Sequence, residues 1–206
     1  MLTLGIYGSP RKNGNTDAML DAFLDGAATA GSQIHRIYAR DVTVRGCLEC
    51  GHCDKEGQCI IVDDDMAKVY PLLEEAPRIV VASPIFFYGV TAQLKLIIDR
   101  TQAVYMKHEL ARQKDQSLTK ETRRRGFFLS AGATRGKRLF ECAVLTMKYF
   151  YDALNVPYAG ELCFWEVEQK GAIKDHSSAL DECRRAGQDF VKPASTGKPR
   201  GSESHP

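Results

Sequence analysis

The sequence has no apolar run approaching the roughly 20 residues that a membrane-spanning helix needs. It also has almost no net charge: 28 Lys and Arg stand against 26 Asp and Glu, giving +2. That balance excludes the broad basic face by which nucleic-acid binders hold phosphate backbones. The one dense basic stretch, Arg123-Arg124-Arg125, reads as a solvated loop end just before a strand, with a docking site for an anionic partner as the counter-reading. The opening residues Met1 to Tyr7 lack the basic start and long apolar middle of a secretion signal. The expectation is therefore a cytoplasmic protein with neither nucleic-acid nor membrane partners, in a compartment where thiols stay reduced. Structural disulfides are then a poor explanation for seven cysteines; metal or redox chemistry is a better one.

A chain of 206 residues, 44% of them hydrophobic and 26% charged, has the composition of an ordinary globular protein. Its size allows a core without covalent staples. Short apolar runs alternate with longer stretches of helical spacing, the pattern of a parallel sheet covered on both faces. Leu2 to Tyr7 reads as a first strand and Thr16 to Ala28 as a helix, with Gly31 as its stop. Gln33 to Tyr38, Arg78 to Ser83, Gly126 to Ser130 and Pro157 to Phe164 read as further strands. The spacing predicts helices over Met66 to Glu75, Thr91 to Ala103, Leu139 to Leu154 and Ser177 to Phe190. Asp63-Asp64-Asp65 precedes the first of these as a carboxylate cap. The polar segment 105–125 reads as a peripheral insertion, and 193–206 as a disordered tail after a domain spanning 1–192.

Strict alternation of five strands and five helices predicts an α/β doubly wound, five-stranded parallel sheet in the order 2-1-3-4-5. In such a sheet the ligand crevice lies beyond the carboxyl ends of the strands, where the winding reverses. The loops leaving the first, third and fourth strands should share that rim, and they carry the unusual residues.

The first loop, Gly8-Ser9-Pro10-Arg11-Lys12-Asn13-Gly14-Asn15-Thr16, runs from a strand straight into a helix. A helix start offers unpaired amide protons and a positive dipole end, which together suit a phosphate monoester. Ser9, Asn13, Asn15 and Thr16 can add neutral contacts and Arg11 a forked cation. The loop lacks the Gly-Lys-Ser/Thr ending of a nucleoside-triphosphate loop and the spaced glycines of a dinucleotide fingerprint. Taken alone, an ordinary turn with a helix cap would also account for it. The second loop, Ser83-Pro84-Ile85-Phe86-Phe87-Tyr88-Gly89, places three consecutive aromatics at a strand end, where two must face the rim. Such walls suit a wide, flat ring with polar edges. A hydrophobic turn packing on the insertion is the plainer reading. The third loop, Ser130 to Gly136, is small and glycine-bearing, and Ser130 and Gly132 could pass beneath the ring or its sugar-alcohol chain.

A separate segment, Arg45 to Cys59, interrupts the rhythm. Cys47, Cys50 and Cys53 recur at intervals of three and Cys59 follows. Compact runs of four thiolates hold iron–sulfur clusters, whereas structural zinc is usually bound by two separated pairs. The crowded triplet favours a cluster, with free or reversibly oxidised thiols and zinc as the alternatives. His52 lies between two of the candidate ligands and is either a tuning group or an exposed loop side chain. Cys142, Cys163 and Cys183 share no spacing and read as small buried hydrophobes, and Trp165 as packing.

The first loop, the Ser83-to-Gly89 loop and the following Ala92-Gln93-Leu94-Lys95 and Ile98-Asp99-Arg100 together resemble the NAD(P)H-dependent FMN reductase superfamily over about residues 1–165. The resemblance implies a flavodoxin-like fold, bound FMN, and a homodimer or homotetramer with the flavin near a subunit interface. It also implies phosphate held by Ser9, Arg11, Asn15 and Thr16, and a ring held by Pro84, Ile85, Phe86, Phe87, Tyr88 and Gly89. The cysteine run and Ile61-Val62-Asp63-Asp64-Asp65-Met66 are similar to the iron–sulfur flavoprotein branch, which implies a 4Fe-4S cluster on Cys47, Cys50, Cys53 and Cys59 beside FMN. The expected function is electron transfer through FMN coupled to that cluster, with small-molecule or protein redox partners and no dedicated acid or base. A clusterless NAD(P)H-dependent reductase of FMN, quinones or nitroaromatics is the alternative; a non-catalytic metal-binding module is the third reading.

Overall fold

The computed structural model describes residues 1–118 and 123–192. The tail expected over 193–206 and the middle of the expected insertion, 119–122, lie outside the described residues. Strands β1 (Leu2–Tyr7), β2 (Gln33–Tyr38), β3 (Arg78–Pro84), β4 (Arg125–Ala131) and β5 (Tyr158–Phe164) form one sheet in the order β2-β1-β3-β4-β5. Every pairing is parallel. The order and direction are those expected. β1 and β3, flanked on both sides, are apolar along nearly their whole length, as strands covered on both faces must be.

The described helices are α1 (Asn15–Thr29), α2 (His52–Glu56), α3 (Met66–Glu75), α4 (Ala92–Arg100), α5 (Gln102–Lys114), α6 (Glu141–Ala153) and α7 (Ala179–Phe190), with a 3-10 turn at Ala172–Asp175. One face of the sheet packs α3, α4 and α6 through residues such as Met66, Leu73, Leu94, Ile97, Met147 and Phe150. The other packs α1 and α7 through Met19, Leu20, Phe23, Cys183 and Phe190. Among the described residues no helix is long and apolar enough to cross a membrane.

Three expectations change. The helix expected over Thr91 to Ala103 breaks at Thr101, whose hydroxyl donates to Ile98 O at 2.6 Å; α4 ends there and α5 leaves on a new course. The described residues between 105 and 124 lie outside the sheet, and Arg125 begins β4. Their first part, however, is the body of α5, which anchors its start in the core through Ala103 and Val104. Arg123 is exposed, as expected, whereas Arg124 and Arg125 are half-buried and structural rather than solvated. Arg124 donates to Leu154 O at 2.8 Å and Ala76 O at 3.0 Å, and Arg125 stacks over Phe190 at 5.5 Å. These contacts tie the lower edge of the sheet to α3, α6 and α7.

α1 and α7 approach with their backbones in contact. A Cβ on Gly187 would overlap the carbonyl of Phe23, and one on Gly26 the carbonyl of Arg184. Neither neighbour is a flexible side-chain tip, so the helices must part to admit a methyl group. Gly187→Ala is expected to cost about 1–3 kcal/mol. Urea unfolding should show a lower midpoint with an unchanged slope.

Candidate functional site

β1 ends at Tyr7, and Gly8 turns the chain away from the sheet while its amide donates to Ala82 O at 2.7 Å. Glycine is required there, because a Cβ would lie 2.8 Å from both Ala82 O and Leu94 Cδ2. α1 starts after Gly14, and its first internal bond runs from Ala18 N–H to Gly14 O at 3.1 Å. The amides of Asn15, Thr16 and Asp17 therefore have no carbonyl of the helix to bond, and they form a donor cluster at the positive end of its dipole.

The loop before them is braced from behind. Asp17 is 3% exposed and accepts from Asn13 N–H at 3.0 Å. Arg40 pairs with Asp17 at 3.0 Å and also donates to Ser9 O at 3.0 Å. Burial pushes the Asp17 carboxyl above the usual carboxylate range, and the Arg40 contacts work against that shift. This brace was not foreseen; an Asp in the first helical turn was its only signal in the sequence.

Thr91 ties the first loop to the second. Its hydroxyl donates to Gly8 O and accepts from Leu94 N–H at 3.3 Å, so one side chain caps α4 and holds the two loops together. Ser83, fully buried, accepts from Thr91 N–H at 3.3 Å. Beyond it the second loop closes into a tight turn in which Phe86 and Gly89 exchange both backbone bonds, at 2.9 and 3.0 Å. Phe87 and Tyr88 take φ of 49° and 64°, the left-handed pair that a type I′ turn requires and usually fills with Asn and Gly. All three aromatics face solvent, with exposures of 50% for Phe86, 105% for Phe87 and 51% for Tyr88.

A cavity of about 250 Å³ opens where these loops meet, lined by Ser9, Arg11, Gly14, Asn15 and Thr16 from the first. Pro84, Ile85 and Phe86 line it from the second loop and Gly132 from the third. The structure thus brings together residues from all three expected loops. It refines several roles. Asn15 lines the cavity, but its side chain is engaged elsewhere: Nδ2 donates to Gln169 O and Oδ1 accepts from Gly171 N–H, both at 2.8 Å. It therefore tethers the loop after β5, and only its backbone amide faces a ligand. Asn13, Phe87, Tyr88, Gly89 and Ser130 are not in the lining. Asn13 braces the loop; Ser130 is buried within β4 and donates to Ser83 O at 2.8 Å. A Cβ on Gly132 would meet Leu139 Cδ2 at 2.7 Å, so that side chain would have to shift to admit one. The loop after β5 adds Val167 and Glu168 to the wall, which sequence reasoning missed because nothing in their spacing marks them.

The cysteine segment lies at the C-terminal end of α4. Cys47, Cys50, Cys53 and Cys59 all line one hollow of about 610 Å³, together with Asp99 and Gln102 from the α4–α5 junction. Cys47 and Cys50 are exposed, Cys53 and Cys59 half-buried. Burial raises the Cys53 thiol, with Asp54 and the neighbouring Cys47 and Cys59 adding to it. Among the described residues no three Cys, His, Asp or Glu side chains stand together as the ligand set of one metal ion. His52 opens the short helix α2 inside the segment. Gly57 ends that helix and rests on α5, where a Cβ would meet Lys107 Cα at 3.1 Å. α5 is thus the shelf under the cysteine segment. Of the other cysteines, Cys183 is buried and Cys163 half-buried, and burial pushes both thiols up to about 12; Cys142 is exposed at the start of α6, contrary to expectation.

Both ends of this segment meet Arg100. Its Nη1 donates to Arg45 O and its Nη2 to Ile61 O, each at 2.9 Å, and Nη1 pairs with Asp64 at 2.5 Å. Both side chains are buried, at 0% and 2% exposure. Asp64 also accepts from the amides of Arg45 and Met66 at 3.0 Å, so it does serve the start of α3, though Asp65 rather than Asp64 occupies the cap position.

The family of the chain follows from comparison. Residues 1–139 match the NADPH-dependent FMN reductase family. The chain belongs to that family. An iron–sulfur flavoprotein of Archaeoglobus fulgidus is 39% identical over 100 residues, 48% of this chain and 45% of that protein. One from Methanocaldococcus jannaschii is 36% identical over 110 residues, 53% of this chain and 56% of that protein. The chain thus matches about half the length of these relatives. A solved flavone reductase superposes with a TM-score of 0.67 at 18% identity, covering 92% of this chain and 62% of that one, a likeness of fold.

Burial alone would raise the Asp64 carboxyl, but hydrogen bonds from Arg100, Arg45 and Met66 bring it below the usual range. A depressed carboxyl contributes stability above the unfolded value of about 3.9 and loses it as pH falls through the folded value. Asp64→Asn leaves the buried guanidinium unpaired and is expected to cost about 3–5 kcal/mol near neutrality. Denaturant titrations from neutral pH downward should show that difference shrinking below about pH 4.

Proposed function

We propose that this chain is an FMN-dependent redox protein in which FMN works beside a 4Fe-4S cluster carried by Cys47, Cys50, Cys53 and Cys59. The observation that carries the FMN part is the convergence of three strand-end loops on one cavity at the start of α1. The residues fit the group. The start of α1 lines the cavity together with Ser9, Arg11 and Thr16, and free helix-start amides beside a guanidinium-bearing residue suit a phosphate monoester. At about 250 Å³ the cavity is smaller than the ~300–1,000 Å³ of whole-ligand pockets. It suits the tail of the molecule, with the flat ring against the exposed Phe86–Tyr88 turn.

Bound FMN supplies one- and two-electron chemistry, and a 4Fe-4S cluster passes electrons singly. The chain's part is to bind, orient and tune. Gly8, Thr91 and Ser83 hold the phosphate loop and ring loop in fixed register. Arg40 and Asp17 keep the loop open from behind. The cysteine hollow fits a cluster by its donor set: four thiols and no imidazole line it. A cluster presents a separate iron to each thiolate, so its ligands need not gather about one point as zinc ligands do. The names of the relatives support the same reading.

The family description favours a second reading, a clusterless NADPH-dependent oxidoreductase that uses the same FMN site. Anaerobic purification with flavin, iron and sulfide assays separates the two. The first reading expects all three components, the second flavin alone. Protein that takes up no flavin after incubation with FMN would defeat both.

Removing the guanidinium tests the phosphate assignment directly. Arg11→Ala is expected to weaken FMN binding by about 10- to 100-fold, the worth of one charge-assisted contact. Riboflavin, which has no phosphate, should bind wild type and variant alike in a flavin-fluorescence titration. Equal weakening of both ligands would place Arg11 on the ring instead.

A further inference from the structure

We propose that Arg100 is the positioning residue of the cysteine site, fixing the span between the two ends of the segment that carries all four thiols. The proposal deepens the cluster reading and rests on it for the iron, though not for the geometry. Between Arg45 and Ile60 only Gly57 is buried, so the segment has almost no core of its own. Hydrophobic burial cannot hold it in one shape, and its order must come from the groups that grip it. α5 supports it from below at Gly57. At its ends Arg100 is, among the described residues, the one side chain that reaches both, through Arg45 O and Ile61 O, while Asp64 adds a bond from the Arg45 amide.

The guanidinium is suited to that task. Its planar fork reaches Arg45 O on one side of the segment and Ile61 O on the other, while Asp64 neutralises the charge. A lysine ammonium is a compact point charge on a flexible stem and cannot hold two carbonyls and a carboxylate in that fixed fan. The backbone that carries the fork is itself fastened: Tyr70 hydroxyl donates to Arg100 O at 2.9 Å. The Arg100 Nε atom is buried with no hydrogen-bond partner. An orphaned buried donor costs free energy. The side chain nevertheless keeps the posture that lets both terminal nitrogens reach the segment. Asp99 and Gln102, the neighbours of Arg100 in the α4–α5 junction, line the hollow itself.

A residue needed only for folding would affect the whole molecule, whereas a positioning residue affects the thiols selectively. Two variants separate these roles. Arg100→Lys keeps a cation for Asp64 but loses the fork. The double variant Arg100→Met with Asp64→Leu removes both buried charges together, which buried ion pairs often tolerate without loss of stability. FMN-loaded, metal-free protein is treated with iodoacetamide, and alkylation at each cysteine is followed by mass spectrometry. In both variants Cys53 and Cys59 are expected to react at least about ten-fold faster than in wild type, as local opening becomes easier. Cys142 and Cys183 should keep their wild-type rates and the FMN content should not change. In parallel, anaerobic incubation with ferrous iron and sulfide should load wild type and leave the variants at about a tenth of that level or less, with Arg100→Lys above the double variant.

Wild-type alkylation rates at Cys53 and Cys59 in Arg100→Lys would overturn the proposal, as would equal acceleration at all cysteines with loss of FMN. If wild type takes up no iron with sulfide, the cluster reading falls, and the alkylation rates still decide the role of Arg100. Should the double variant fail to retain FMN, Arg100→Lys carries the test alone.

Discussion

The reversal of winding beside β1 is the constraint on which the molecule depends. The chain leaves β1 to form β2 on one side, then returns across the sheet to place β3 on the other. The loops after β1 and β3 therefore diverge over opposite faces and leave a crevice between them that no side chain of the sheet can fill. Everything at the site is arranged around that gap. Gly8 turns at its lip, α1 points its free amides into it, and Thr91 links the two diverging loops. A sheet wound in one direction would have no such opening at its centre.

The fold was legible because its signals were redundant. Each strand was an apolar run of the right length, and each crossover carried helical spacing of its own, so neighbouring assignments supported one another. The failures came where local and tertiary demands compete. Thr91 to Ala103 has continuous helical spacing, yet the helix is divided at Thr101, and α5 beyond it packs against the cysteine segment at Gly57. The arginines at 123–125 read as solvated because charge usually is. Arg124 and Arg125 serve instead as donors to carbonyls at and just beyond helix ends, a role set by neighbours distant in the chain.

At the candidate site the same division applies. Backbone-determined features were visible, as in the strand that runs into α1 through glycine, serine and arginine. Side-chain partners were not. Asn15 has the right chemistry for phosphate, but residues 169–173 fold back over it and take both ends of its amide. Glu168 enters the cavity from a loop with no motif at all. The cysteines announced themselves by spacing, while the residue that grips their segment lies far along the chain and was visible only as one letter of a family resemblance.

α4 joins the two sites end to end. It starts one residue after Thr91, which fastens the loops after β1 and β3, and finishes on Arg100, which grips the cysteine segment. Nine residues at about 1.5 Å each set a distance of roughly 14 Å between those two grips. The rod also fixes an angle: one residue more or fewer would swing the guanidinium by about 100° around the helix axis, away from both carbonyls it holds. Loops on either side can lengthen freely. The number of residues in α4 cannot change without uncoupling one end from the other.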